Sequence, residues 1–146
     1  MPISTAAVGK VYGPRVYVVG REKIREYAAA VGETDPLYAD VDAARAAGYA
    51  DLVAPPMFAV VYSLPAVAPG MFDPDVGIDV GRMVHGGQAF SWGAPVVAGD
   101  EVTTTLSVKD VSERGGMGFY VFGTESRNQH TEHVAMGTWT LIVRGG

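Results

Sequence analysis

Between Val31 and Tyr38 the chain reads Val-Gly-Glu-Thr-Asp-Pro-Leu-Tyr, which places two carboxylates, Glu33 and Asp35, and a phenol, Tyr38, around Pro36. Proline there forces a turn, so these groups belong to a loop. A phenol titrates near 10, which makes Tyr38 a poor base at neutral pH. His85 stands beside Gly86-Gly87 and Gln88. It reads either as a hydrogen-bonded interior or interface histidine, or as a contact to a substrate or partner, which the glycines would let come close. Met57, Phe58, Tyr62, Met71 and Phe72 form an apolar set. Core packing accounts for them, and so does the wall of an acyl-chain tunnel, because ligand pockets are mostly apolar. Pro56, Met57, Phe58, Tyr62 and Phe72 are the candidates for that wall. His130 and His133 flank Glu132 in a turn, but a metal needs three or four converging ligands, so no metal site is expected. No P-loop, dinucleotide fingerprint or Gly-x-Ser-x-Gly elbow occurs, and no cofactor is expected.

The elements that must hold these groups can be read from periodicity. Val16 to Val19 is β-prone. Ile24, Tyr27, Ala28 and Val31 fall at i, i+3, i+4, i+7, one face of a helix over 21–31 closed by Gly32. Asp42 to Ala47 should be a short helix stopped by Gly48. Pro56 suits the first position of a further helix over 57–64. That helix is apolar almost all round, so burial on every side is expected, with an end or kink at Pro65. The stretch 69–79 reads as a loop, either a lid or a passive surface segment. Strands follow: 80–92, then 102–108 with strict alternation, 118–126, and 134–143 with Trp139 inside. Turns fall at Pro95 to Asp100, at Arg114-Gly115-Gly116 and at 128–132, the last two short enough for hairpins. Helices followed by a run of strands argue an α+β fold with an antiparallel sheet wrapped on a buried helix. No internal repeat or low-complexity segment interrupts it.

Composition narrows the function classes. A chain of 146 residues, 48% apolar, favours one domain over 1–146 with a substantial core. Cysteine is absent, which removes disulfides, thiolate nucleophiles and Cys-based zinc sites. The start, Met-Pro-Ile-Ser-Thr, lacks a basic segment leading into an apolar one, and no long apolar run exists. Neither a signal peptide nor a membrane span is therefore expected, and a cytoplasmic setting is the default. Net charge is −5, with no basic stripe of the kind that neutralises phosphates, so nucleic acid is not an expected partner. The densest cationic group, Arg21, Lys23 and Arg25 with Lys10 and Arg15 upstream, is either a solvated helix start or a docking patch for an acidic carrier or phosphate-bearing thioester.

Taken in order, Arg21 to Ala28, Gly32 to Tyr38, Ala46-Ala47-Gly48-Tyr49 with Ala54-Pro55-Pro56, Val84-His85-Gly86-Gly87-Gln88, and Pro95 to Asp100 resemble the MaoC-like dehydratases of the hot-dog superfamily. The match is to the FAS1-like, N-terminal-type branch, which includes the substrate-holding subunit of (3R)-hydroxyacyl-ACP dehydratases. The resemblance covers nearly the whole chain. Catalytic members of the wider family carry Gly-Asp-x-Asn-Pro-x-His. Their Asp and His form a dyad in which one group takes the α-proton or activates water and the other handles the β-hydroxyl. Backbone N–H groups at the start of the buried helix would steady the thioester enolate. Here the dyad positions carry Glu33 and Tyr38, and Asp35 replaces the Asn, while Pro36 and Gly32 are kept. The extra methylene of Glu33 shifts its carboxylate by about an ångström, a displacement that can cost roughly a hundredfold in rate.

The resemblance implies an acyl-binding subunit that takes acyl-ACP or acyl-CoA and pairs with a homologous MaoC-type subunit carrying the dyad, with no cofactor. It also implies that the strand bearing His85 and Gln88 lies at the dimer seam. Two other readings stand beside it. One is a self-sufficient hydratase or thioesterase using Glu33 or Asp35. The other is a non-enzymatic acyl-binding homodimer.

Overall fold

The computed structural model describes residues 3–145. Met1, Pro2 and Gly146, the ends of the expected domain, lie outside the described residues. Strand β1 (Val11–Val18) is followed by helix α1 (Arg21–Ala30), a 3₁₀ turn (Pro36–Tyr38), helix α2 (Val41–Ala46), a second 3₁₀ turn (Pro56–Phe58) and helix α3 (Ala59–Met71). A third 3₁₀ turn (Val80–Arg82) then leads into β2 (Met83–Trp92), β3 (Glu101–Arg114), β4 (Met117–Arg127) and β5 (His133–Val143). The five strands form one antiparallel sheet in the order β1-β3-β4-β5-β2.

Alternation sets the buried face. Val102, Thr104, Leu106 and Val108 of β3 and Gly118, Tyr120, Phe122 and Thr124 of β4 are all buried, with their neighbours facing outwards. The β3–β4 hairpin turns on Gly115 and Gly116, both at positive φ, the conformation a two-residue hairpin requires. Helix α3 lies against β1, β3 and β4 and divides the interior. Around its first half gather Phe58, Tyr62, Val19, Ile24, Leu52 and Val134. Around its second half gather Val67, Leu106, Phe122 and Trp139. Burying each large side chain of this kind contributes roughly 1.5–3 kcal/mol. Two pairs of polar groups drawn inside satisfy one another: Thr104 Oγ1 lies 2.7 Å from Ser126 Oγ, and Trp139 Nε1 donates to Thr124 Oγ1 at 3.1 Å. This is the hot-dog arrangement of a sheet curled on a central helix, in an α+β single domain.

Two expectations need correction. Helix α3 does not stop at Pro65 but runs through Pro65 and Pro69 to Met71. Pro65 is exposed and Pro69 half-buried, so the backbone bonds they forfeit are lost on the side away from the sheet, where water can serve the freed carbonyls. Nor is the helix buried all round, since Leu64 is 46% exposed. The segment after it is fastened down: Asp73 accepts from Lys10 Nζ and from the Tyr12 hydroxyl, both at 2.5 Å. No described helix is long and apolar enough to cross a membrane.

Candidate functional site

A cleft of about 510 Å³ opens beside the start of α3, within the range typical of small-molecule sites. Four pieces of chain make it, and each is held by its own backbone bonds. The first is the turn 36–38. Asp35 caps it by accepting from Leu37 N at 3.0 Å, a short-range side-chain bond that favours turns. Gly32 at φ +76° lets α1 stop just before, and Glu33 N donates back to the Ala28 carbonyl at 2.8 Å. Leu37 and Tyr38 then face the cleft.

The second and third pieces are the loops around Val53 and Val96, which pair with one another. Val53 N donates to the Leu37 carbonyl, Ala54 N to that of Val96, and Ala98 N to that of Leu52. Together they bring Val53, Ala54, Pro55, Ala94, Pro95 and Val96 to the wall. The fourth piece is the start of α3 with the end of β2. Trp92 Nε1 donates to the Pro56 carbonyl at 2.9 Å, which fixes the strand end to the helix entrance. Gly93 follows because a Cβ there would drive into the His133 carbonyl.

The cleft is apolar with a few polar tips. Tyr38, Tyr49, Tyr62 and Trp92 supply its aromatic surface. No Asp, Glu, His or Lys lies on its wall among the described residues. Burial raises the Tyr38 phenol above its ordinary value, and the charges of Glu33 and Asp35 and the neighbouring Tyr49 push it the same way. Burial alone raises Tyr62. Both are neutral donors at physiological pH. At the helix entrance Pro55 and Pro56 have no N–H, and Phe58 N is engaged by the Pro55 carbonyl at 2.8 Å. Met57 is therefore the first residue there with an amide N–H to offer a ligand.

Of the residues singled out from sequence, Tyr38, Pro56 and Tyr62 are brought together on this wall. Glu33 is exposed and off it. Phe58 is fully buried and its ring meets Tyr17, Tyr27 and Tyr62 edge-on or tilted, so it serves the core and does not reach the cleft. Met57 and Phe72 are exposed at 42% and 67% and also lie off it. The segment 74–79 borders a different, more polar cavity with Ser4, Glu113 and Tyr120. His85 and Gln88 bond each other at 3.0 Å, and the His85 ring stacks on Trp139. The close approach at Gly86 comes from the Ile142 side chain of this same chain. The cationic group is largely self-neutralised: Arg21 forks onto Asp51 at 2.9 and 2.8 Å, Lys23 meets Glu26, and Arg25 meets Glu22. His130 belongs to the turn before β5, where its N–H donates to Asn128 Oδ1.

Sequence reading missed Leu37, Tyr49, Val53 to Pro55, Trp92 to Val96 and Val134 as wall residues. The Gly-Ala-Pro that ends β2 was the available signal for the 92–96 corner.

The fold and an apolar cleft at the entrance of its central helix define the class, a MaoC-like hot-dog dehydratase. The family model of the FAS1-like dehydratase domain region matches residues 6–136, and the chain belongs to that family. It is 46% identical over 146 residues to a UPF0336 protein of Clavibacter michiganensis subsp. michiganensis, covering 99% of this chain and 98% of that one. Among solved structures it is similar to the C-terminally truncated HadBC (3R-hydroxyacyl-ACP dehydratase) complex of Mycobacterium tuberculosis, with TM-score 0.82 and 31% identity over 94% of this chain and 98% of that one. It is also similar to a MaoC-like dehydratase, with TM-score 0.86 and 28% identity over 97% of this chain, but it spans only 43% of that longer chain.

Proposed function

We propose that this chain is the acyl-thioester-holding subunit of a (3R)-3-hydroxyacyl thioester dehydratase, with the Asp/His dyad supplied by a homologous MaoC-type partner. The observation that carries this reading is the cleft wall, which offers aromatic and aliphatic surface and neutral phenols but no carboxylate or imidazole. Reversible loss of water needs a group that exchanges a proton near neutral pH within hydrogen-bond reach of the substrate. A wall of this kind can hold and desolvate an acyl chain, but it lacks that group. The similarity to the HadBC dehydratase complex supports a paired arrangement.

In this reading the thioester end sits at the entrance of α3, beside Pro56, where the helix dipole favours developing negative charge on the carbonyl oxygen. The chain extends between Tyr38, Tyr62 and Trp92. Acyl-ACP or acyl-CoA is the ligand and no cofactor is used. A cytoplasmic setting fits a chain without cysteine.

Hydration of crotonyl-CoA tests the proposal. The purified chain should show no turnover alone. Co-expression with a MaoC-type subunit bearing an intact Gly-Asp-x-Asn-Pro-x-His loop should restore it. Turnover by the chain alone that disappears in Glu33→Gln would establish the self-sufficient enzyme instead. Acyl binding with no turnover in any pairing would establish a non-enzymatic carrier.

A further inference from the structure

Tyr62 is buried, 3% exposed, on the sheet-facing side of α3. Its ring packs against Phe58 at 6.2 Å, and its hydroxyl has no hydrogen-bond partner among the described residues. Enclosed beneath a bound ligand, a hydroxyl left unpaired is unfavourable. A phenylalanine would pack the same ring without that cost, as it does at Phe58 in the same cluster. The fully buried side-chain polar atoms without a partner among the described residues are Ser63 Oγ and Gln88 Nε2, and neither residue borders the cleft. Tyr62 does. Tyr38 and Tyr49 share the wall but are only half-buried, so water can reach them. Tyr62 is thus the deep polar group of an otherwise apolar site.

Its position along the helix says which ligand atom it would meet. Helical side chains lean towards the N-terminus and cover the turn before their own Cα. The hydroxyl is therefore carried back by about one turn, roughly 5.4 Å, towards Pro56. The hydroxyl and the helix entrance at Pro56 thus face the same stretch of cleft, so a ligand whose thioester carbonyl lies at the entrance brings its third carbon towards Tyr62.

We infer that the Tyr62 hydroxyl is a specificity-determining donor that hydrogen-bonds the 3-oxygen of the bound acyl chain, so that the cleft favours 3-hydroxyacyl over saturated acyl thioesters. This rests on the acyl-holding reading above. A site built to bond a ligand hydroxyl rejects the analogue lacking it, because its own polar group is then left unpaired.

The test is calorimetric titration of the purified chain with (3R)-3-hydroxyoctanoyl-pantetheine and octanoyl-pantetheine, for wild type and Tyr62→Phe. Pantetheine thioesters keep the choice between carrier protein and CoA out of the measurement. Wild type should hold the hydroxylated ligand about tenfold tighter, the effect of one good hydrogen bond, and Tyr62→Phe should bind the two equally. The variant should melt no lower than wild type, because its hydroxyl has no protein partner to lose. A preference that persists in Tyr62→Phe, or is absent from wild type while both ligands bind, overturns the inference and leaves the acyl-holding reading intact. A marked drop in melting temperature overturns it as well, by showing that the hydroxyl serves the fold. Failure of wild type to bind either thioester overturns the acyl-holding reading itself.

Discussion

At position 38 a phenol stands on the cleft wall, and its surroundings make it a still weaker base than a free phenol. Burial first, then the charges of Glu33 and Asp35, raise its pKa beyond the ordinary value near 10. It therefore carries its proton throughout the neutral range. Glu33, five residues earlier, is exposed and forms no part of the cleft wall. In the reconstituted complex, Tyr38→Phe should change kcat by less than about threefold and leave the rate profile between pH 6 and 9 unaltered, whereas loss of a partner's catalytic histidine should cost on the order of 10²–10⁴-fold. A profile that shifts with Tyr38→Phe would put this phenol in the proton pathway. Residue by residue, the site was only partly legible. Tyr38 and Pro56 could be placed because prolines pinned their loops. Phe58 and Met57 could not, because α3 is apolar on several sides and composition does not say which side meets the core. Trp92 was invisible because its partner, the Pro56 carbonyl, is far away in sequence.

Among the elements, α3 shows why a proline rule read from sequence alone failed. The rule assumes an interior where a forfeited bond stays unmet. Here the prolines face away from the sheet, while Tyr62, Ala66, Val67 and Gly70 hold the other side in the core. The strands were easier to read, since alternation is local and the glycine pair at 115–116 marks its hairpin. What sequence did not reveal is how the segment after α3 is tied to β1. Lys10 and Tyr12 converge on Asp73, and these bonds, with that from the Asp75 amide, hold its carboxyl at about 2. A depressed folded-state pKa contributes stability that is complete above the unfolded value near 3.9 and is lost as pH falls through the folded one. Asp73→Asn should therefore melt below wild type at pH 6–7, by about 2–4 °C for a partly exposed cluster in a chain of this size. The gap should close between pH 5 and pH 2. Asp51, held equally low by Arg21, titrates in both proteins and cancels from the comparison. Circular-dichroism melts at stepped pH give the answer, and a gap that stays constant would mean the fastening does not depend on the carboxylate's charge.

For the molecule as a whole, the proposed pairing needs an edge of the sheet to receive the partner. The two edges are β1 and β2, and they differ in how well they are guarded. Strand β1 carries Pro14 and Arg15 next to a break in register between Tyr12 and Arg15. A proline, a charge and an irregularity are the devices that blunt an edge against further pairing. Strand β2 shares such a break, between His85 and Gly87, but it is ten residues long and has neither proline nor any Asp, Glu, Lys or Arg, and it carries Val84, exposed at 40%, and Trp92, exposed at 50%. Helix α3 packs mainly on the β1, β3 and β4 side, so the β2 end of the sheet is the less covered one. An unguarded edge beside apolar surface is where a second hot-dog subunit gains most by pairing. The cleft touches this edge through Trp92 and Gly93, so a partner seated there would bring its own dyad to the cleft mouth. Val84→Lys should accordingly shift the protein from dimer to monomer in sedimentation equilibrium and abolish activity of the co-expressed pair. Val16→Lys, an equal charge on exposed β1 surface, should leave both assembly and activity as they are. If instead Val16→Lys dissociates the dimer and Val84→Lys does not, the seam runs along β1, and the cleft would have to be completed without a partner at β2.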